Sequence, residues 1–442
     1  MEKILFVSLG CDKNLVDSEQ MLGMLSEEGY EFTDSESEAT VIVINTCCFI
    51  HDAKEESITT ILDMAEYKKS GNCKALIVTG CLAQRYYDEI QEEIPEVDAI
   101  IGTTAFDEIT KVVSGVIGGQ KKNVKKDIHT LTYLKGHRSV TTGGHYAYLK
   151  IAEGCNKHCT YCIIPKIRGN FRSVPMEDLL ADAEQLARNG VKELILVAQE
   201  TTVYGTDLYG KKMLPELLKE LCKITGFVWI RILYCYPEEI TDELIQVMKE
   251  EKKICNYLDL PIQHASDKIL KQMGRRTSQE ELRAIVAKLR KEIPDICLRT
   301  TLITGFPGET EEDQEEVMCF VDELEFDRLG VFTYSPEEGT KAETFADQVD
   351  EEIKKDRQAE IMELQQEIAF EKAENMIGRE LYVFIEGKVA DENAYVSRTY
   401  KDAPNVDGFL FVNTDLELMT GDFVKVRVTG AYEYDLIGEI TE

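Results

Sequence analysis

Short apolar runs recur along the chain, and the stretches between them carry apolar residues at helical spacing. From residue 3 to about 118 the clearest runs are Lys3 to Ser8, Val41 to Asn45 and Ala75 to Thr79, with helices expected over Val16 to Glu28 and Ala53 to Tyr67. Alternation of this kind predicts a parallel sheet flanked by helices, with ligands collecting beyond the carboxyl ends of the strands. Six further runs follow a connector: Tyr148 to Ala152, Glu193 to Ala198, Val228 to Leu233, Tyr257 to Leu260, Leu298 to Thr304 and Leu329 to Tyr334. Six strand–helix units predict an incomplete (βα) barrel whose active end lies at the carboxyl ends of its strands. Glu351 to Met376 reads as one long charged helix bracing the domains, with Ile353, Ile361, Leu364 and Ile368 as its apolar positions. From Glu380 onward five short alternating strands, Leu381 to Glu386, Ala394 to Ser397, Gly408 to Val412, Asp422 to Val428 and Asp435 to Ile440, predict a small antiparallel β-barrel.

The expected organisation is therefore α/β overall: an N-terminal domain over 1–118, a linker over 119–146, a central barrel with its bracing helix over 147–377, and a terminal barrel over 378–442. The linker holds paired glycines, several lysines and His129, His137 and His145. These histidines match no metal-ligand spacing and are expected in solvent.

Composition narrows the class. With 43% hydrophobic and 30% charged residues the chain reads as soluble and globular, and no apolar run approaches the roughly 20 residues needed to span a bilayer. The opening apolar run is too short for a leader and reads as a buried strand, so a cytoplasmic location is expected. Thirteen cysteines then point to metal or redox chemistry, because disulfides seldom persist in a reducing compartment. The net charge of −32 repels phosphate backbones and attracts basic partners. The terminal module is itself acidic, with 13 Asp and Glu against 6 Lys and Arg over residues 379–442.

The thiols fall into two sets. Cys155, Cys159 and Cys162 have the spacing C-x3-C-x2-C within Glu153 to Gly169. Three thiolates can wrap one face of an iron–sulfur cluster, and with no fourth cysteine nearby one iron is left open to a small chelating ligand. Structural zinc is the competing reading, but a closed zinc site needs four ligands. The second set is dispersed: each clear N-terminal strand runs into a cysteine, at Cys11, Cys47 and Cys81. Three strand ends delivering three thiols to one sheet edge predict a second cluster site, against the plainer reading of ordinary buried cysteines. Cys48 competes with Cys47, although neighbours leaving a strand point oppositely. Cys73 precedes its strand and reads as structural. Around the barrel rim, Gln199 and Glu200 follow the second strand and Gln263 the fourth. Gly305 follows the fifth, in a turn expected to let backbone approach a ligand.

Several phrases carry a resemblance. The central triad, with Tyr161 just before its last cysteine, is similar to the radical S-adenosylmethionine superfamily. Ser8-Leu9-Gly10-Cys11-Asp12-Lys13-Asn14, Val16-Asp17-Ser18-Glu19, Ile44-Asn45-Thr46-Cys47 and Gly80-Cys81-Leu82-Ala83-Gln84-Arg85-Tyr86 resemble the N-terminal domain of the methylthiotransferases. Gly421-Asp422-Phe423-Val424-Lys425-Val426 resembles a TRAM domain, a module that usually binds RNA. Within the family, Leu149-Lys150-Ile151-Ala152-Glu153-Gly154-Cys155 and Tyr334-Ser335-Pro336-Glu337-Glu338-Gly339-Thr340 look like the branch that modifies an aspartate of ribosomal protein S12, not the branch that modifies transfer-RNA adenosine. Cys48 departs from the family, where glycine is usual.

The resemblance implies two 4Fe-4S clusters, on Cys11, Cys47 and Cys81 and on Cys155, Cys159 and Cys162. It also implies S-adenosylmethionine held near Tyr161, Gln199, Glu200, Gln263 and Gly305, with backbone at Val331 and Phe332 on the adenine. One S-adenosylmethionine would be cleaved to a radical that takes hydrogen from the aspartate β-carbon, and a second would methylate the inserted sulfur. No side-chain acid–base pair is required. A low-potential electron donor and a sulfur donor are implied partners, and no membrane or direct transfer-RNA contact is expected. A reading of another class, a zinc-stapled RNA-binding adaptor, would require a basic face that this composition does not supply.

Overall fold

The computed structural model describes residues 2–136 and 138–441; the expectation for His137 falls outside them. The N-terminal region contains β1 (Lys3–Ser8), α1 (Asp12–Glu27), β2 (Glu31–Phe32), β3 (Val41–Thr46), α2 (His51–Ser70), β4 (Ala75–Gly80), α3 (Cys81–Arg85), α4 (Tyr87–Glu93), β5 (Ala99–Ile101) and α5 (Ile109–Ile117). Its sheet is parallel throughout, in the order β2-β1-β3-β4-β5. All six residues of β3 and of β4 are buried, the pattern of central strands covered on both faces.

The connector is tied down. Arg138 donates to Glu19 Oε2 at 2.8 and 2.6 Å, and the Thr141 amide donates to Glu19 Oε1 at 2.7 Å. His129 is exposed as expected, its Nδ1 accepting from the Asn170 amide at 3.2 Å. His145 corrects the expectation of a solvated loop residue: it is buried, with Nε2 3.0 Å from Glu386 Oε2 in the terminal barrel. Local composition could not reveal a partner 241 positions away.

The central region runs β6 (Tyr146–Lys150), β7 (Ala152–Glu153), α6 (Ile164–Arg168), β8 (Arg172–Ser173), α7 (Met176–Arg188), β9 (Glu193–Val197), α8 (Thr206–Tyr209), α9 (Leu214–Lys223), β10 (Trp229–Ile232), α10 (Asp242–Glu250), β11 (Ile254–Asp259), α11 (Asp267–Met273), α12 (Gln279–Glu292), β12 (Cys297–Thr304), α13 (Glu311–Leu324) and β13 (Arg328–Thr333). Six parallel strands form one open sheet, β6-β9-β10-β11-β12-β13. Tyr148, Ile195, Val197, Cys255, Tyr257 and Cys297 pack into one apolar cluster on its inner side. The small β7–β8 pair brackets the loop that carries the central cysteines.

Helix α14 (Glu351–Glu374) closes the free edge at β13. Ile353, expected among its packing residues, is exposed, whereas Lys354, Arg357 and Gln365 are buried. Edge carbonyls need donors. Gln358 Nε2 donates to the Val331 carbonyl at 2.7 Å, Lys354 Nζ to Tyr334 O at 3.0 Å, and Gln365 Nε2 to Phe326 O at 2.9 Å.

The C-terminal strands β14 (Glu380–Lys388), β15 (Ala394–Arg398), β16 (Leu410–Asn413), β17 (Phe423–Tyr432) and β18 (Asp435–Ile440) close a barrel in the order β14-β15-β16-β18-β17. It is not wholly antiparallel: β16 pairs with β18 in parallel, the register that closes the ring. This barrel seals the amino-terminal end of the central sheet. Glu193, Trp229, Cys297 and Arg328, at the starts of four strands, touch Arg398, Phe384, the Lys401 carbonyl and Asp402 respectively. At the opposite end α1 lies across the strand termini, with Lys150 bonded to Asp17 and Tyr234 to Asp12.

Candidate active site

The carboxyl ends of the N-terminal strands meet the carboxyl ends of the central strands. Cys11 follows β1 as the N-cap of α1, Cys47 follows β3, and Cys81 opens α3 after β4. Gly10 has φ +88°, and a Cβ there would stand 2.6 Å from Cys47 Cβ and 2.8 Å from its Sγ. Only glycine lets the β1 turn pass so close to that thiol. Cys47 is thus turned towards the Cys11 turn, while its amide donates to Ser57 Oγ at 3.0 Å. Cys48 is fully buried in the apolar cluster with Ile44, Leu82 and Ile163. Burial, reinforced by the Cys81 and Cys11 thiols, pushes Cys47 up to about 12.

The central loop places Cys155 and Cys159 in buried positions and Cys162 in a half-buried one. The Cys155 amide donates to the Gly169 carbonyl at 3.1 Å, and the Lys157 amide to Cys155 Sγ at 3.4 Å. His158 adopts φ +53°, and the loop docks on the end of α11 through a bond of 2.9 Å from the Thr160 amide to Met273 O. Burial pushes Cys155 up to about 11. Among the described residues no three Cys, His, Asp or Glu side chains close around a single ion. Each triad nevertheless fits a thiolate-held cluster in its donor chemistry: three sulfurs from fixed backbone turns and N–H groups aimed at sulfur.

Between the triads lies a charged network that spacing did not reveal. Arg168, at the end of α6, is buried and donates to Asp17 Oδ2 (2.8 Å), Glu153 Oε2 (3.2 Å), Asn14 Oδ1 (2.9 Å) and Cys81 Sγ (3.4 Å). Lys150 Nζ donates to Asp17 and, at 2.8 Å, to Glu153 Oε2. Glu153, two residues before Cys155, also accepts from Gln199 Nε2 at 2.8 Å. Burial alone would raise the Glu153 pKa, but Lys150 and Arg168 outweigh it and hold the carboxyl well below its usual range. The available signal was charge inside otherwise apolar runs, as at Lys150.

The rim residues divide. Gln199 keeps a buried, unpaired Oε1 at the mouth, whereas the buried Glu200 Oε1 is ion-paired. Glu200 Oε1 stands 3.4 Å from Lys157 Nζ, which Glu238 and Glu239 also surround, and burial pushes Glu200 up to about 7. Tyr161 packs edge-on to Phe306 at 6.5 Å. Gln263 takes φ +75° and bridges to β12 through backbone bonds to Thr301 and Ile303. Gly305 has φ +71°, and a Cβ there would lie 2.2 Å from Lys354 Cγ, so the glycine also lets α14 pack against this turn. The Val331 carbonyl is taken by Gln358, while the Phe332 side chain is half exposed. Arg275 was missed by sequence reasoning. It is buried over the Tyr236 ring at 4.3 Å, bonds the Pro261 carbonyl at 2.9 Å, and keeps Nε and Nη1 unpaired beside the central loop. Unpaired buried donors and acceptors at a mouth fit a polar, charged ligand such as S-adenosylmethionine.

Three family models match: uncharacterized protein family UPF0004 over residues 3–102, the radical SAM superfamily over 149–321 and the TRAM domain over 377–441. The chain is 66% identical to the ribosomal protein uS12 methylthiotransferase RimO of Lachnoclostridium phytofermentans, with 99% of each chain covered. It is 52% identical to the protein of that name from Acetivibrio thermocellus, over 99% of this chain and 98% of the relative. Among solved structures it resembles in fold the radical S-adenosylmethionine methyltransferase TsrM of Kitasatospora setae, at TM-score 0.56 and 13% identity, covering 77% of each chain.

Proposed function

Because this chain belongs to the ribosomal protein uS12 methylthiotransferase family, we propose that it attaches a methylthio group to the β-carbon of an aspartate in that ribosomal protein. It is a radical S-adenosylmethionine enzyme that transfers a sulfur-bearing group, using S-adenosylmethionine and a 4Fe-4S cluster. The observation that carries the fuller reading is the set of Cys11, Cys47 and Cys81 at one sheet edge, laid over the barrel end that holds Cys155, Cys159 and Cys162 and joined to it by Arg168.

In this reading Cys155, Cys159 and Cys162 hold one cluster beside S-adenosylmethionine, and Cys11, Cys47 and Cys81 hold a second beside the sulfur to be transferred. The bound groups supply one-electron and methyl-transfer chemistry that no side chain provides. The chain supplies position. Gln199 presents an unpaired acceptor to the S-adenosylmethionine side and Glu200 an acceptor held by Lys157, with Tyr161 and Gln263 on the same rim and Gly305, Val331 and Phe332 at its far edge. Arg275 offers two free N–H donors beside the central loop. The acidic terminal barrel suits a basic protein better than a phosphate backbone, which supports a protein substrate. No described helix is long and apolar enough to cross a membrane. The electron donor and sulfur donor are separate partners in this scheme.

Mass spectrometry of uS12 and of transfer RNA from cells lacking the gene tests the substrate. Unmodified uS12 with unchanged transfer RNA is expected; loss of methylthioadenosine with uS12 unaltered would assign the transfer-RNA reaction instead.

A further inference from the structure

The loop that carries the central triad also reaches the other triad. Cys162 and Arg168 are six positions apart, and Arg168 spans to Cys81, 87 positions earlier in sequence. We propose that Arg168 is a positioning residue for the N-terminal cluster: its guanidinium, donating to the Cys81 thiolate, raises that cluster's reduction potential and ties it to the segment holding the other. The inference rests on the two-cluster reading above.

The geometry carries it. The guanidinium is almost wholly shielded from water, and its Nη2 divides between Asn14 Oδ1 at 2.9 Å and Cys81 Sγ at 3.4 Å. Nη1 is fixed by Asp17 Oδ2 at 2.8 Å and Glu153 Oε2 at 3.2 Å. Three other anchors on a planar fork leave the donor aimed at sulfur little freedom to turn away. The local charges balance, with Lys150 and Arg168 against Asp17 and Glu153. An electron added to a cluster on Cys81 is therefore not opposed by a net negative surround, and the N–H donor is strengthened in this dry setting. Hydrogen bonds to cluster sulfurs and nearby charge are recognised levers on potential. Removing Arg168 deletes the donor and leaves Asp17 and Glu153 facing Lys150 alone, so the added electron becomes less favourable. Removing the charge of Asp17 has the opposite sign, because Arg168 and Lys150 then face Glu153 alone.

The test uses the full chain with Cys155, Cys159 and Cys162 replaced by alanine, so that any remaining cluster is the N-terminal one. Iron and sulfide are quantified anaerobically, and the midpoint is read by redox titration with electron paramagnetic resonance. Arg168→Gln should move the midpoint to more negative values at unchanged iron content, Arg168→Lys should recover part of the shift, and Asp17→Asn should move it to more positive values. Unchanged midpoints and spectra in Arg168→Gln and Asp17→Asn would overturn the proposal. Loss of iron from both Arg168→Gln and Arg168→Lys would also overturn it, leaving Arg168 a purely structural role. A triple-alanine parent without iron would instead defeat the two-cluster reading itself.

Discussion

The two ends of the central barrel are both closed by buried charges, but they are closed differently. At the amino-terminal end Glu193 gives one oxygen to Arg231 Nε at 2.8 Å and the other to Arg398 Nη2 at 2.8 Å. Arg398 spends its remaining nitrogens on Glu386 Oε1 and Asp402 O, and Arg231 on the Tyr400 and Thr399 carbonyls. Each donor and acceptor of this trio has a partner within the protein. At the carboxyl end Gln199 and Arg275 keep unpaired polar atoms, and six thiols gather there. The rest of the joint is not free of orphans, since His145 Nδ1 and Arg328 Nε are buried there without a hydrogen-bond partner; what distinguishes the carboxyl end is that its orphaned groups gather beside the thiols. Orphaned polar groups beside thiols, not orphaned groups alone, separate this site from the domain interface.

The sharpest way to break this contrast is at the thiols. Cys47→Ala should abolish product and remove one cluster's iron, whereas Cys48→Ala, inside the apolar cluster, should leave iron content unchanged; anaerobic iron and sulfide analysis distinguishes them, and the reverse pattern would reassign the ligand. Next is the joint. Glu193→Ala strands two buried guanidiniums and should cost about 3–5 kcal/mol, the range for breaking a buried ion pair. Trp229, the single tryptophan, packs on Phe384 at 4.7 Å and Phe423 at 5.3 Å across this joint, so its emission during denaturant unfolding reports the loss. Gly10→Ala would place a methyl group 2.6 Å from Cys47 Cβ and should lower iron at the N-terminal triad only partly, since the turn can shift; the central triad should keep its iron.

A smaller effect comes from pH. Burial by itself would raise the Glu193 pKa, but Arg398 and Arg231 outweigh it and hold the carboxyl below its usual range. The stabilisation is therefore complete above the unfolded value, about 4.3, and is lost as pH falls through the depressed folded value. The Trp229 signal should accordingly be flat from neutral pH to about 5 and change only in stronger acid; a transition near neutrality would contradict this origin. The smallest effect belongs to a pair at neither end. Glu323→Ala, breaking the exposed contact with Arg283 at 2.7 Å, should leave unfolding midpoint and product unchanged.

Much of the fold was legible because it is written locally. The strands leading to Cys11, Cys47 and Cys81 are continuous apolar runs, and the central triad lies within eight positions. Where reading failed, the cause was a partner far along the chain. On α14 Ile361 and Ile368 are buried as read but Ile353 is exposed; Lys354 and Gln365 turn inward because backbone carbonyls at the sheet edge need donors that isoleucine lacks, and Arg357 turns in to Glu309. His145 looked like a linker residue until Glu386 covered it.

The sequence by itself determined the strand and helix order, the six cysteines in two sets and the acid excess, since each is encoded within a few neighbouring positions by spacing and side-chain type. Only the tertiary structure decided that the terminal barrel seals the end opposite the thiols, and that Arg168 meets Asp17 across 151 positions and Cys81 across 87. Such contacts are fixed by how whole layers pack, and no local pattern of residues carries that information.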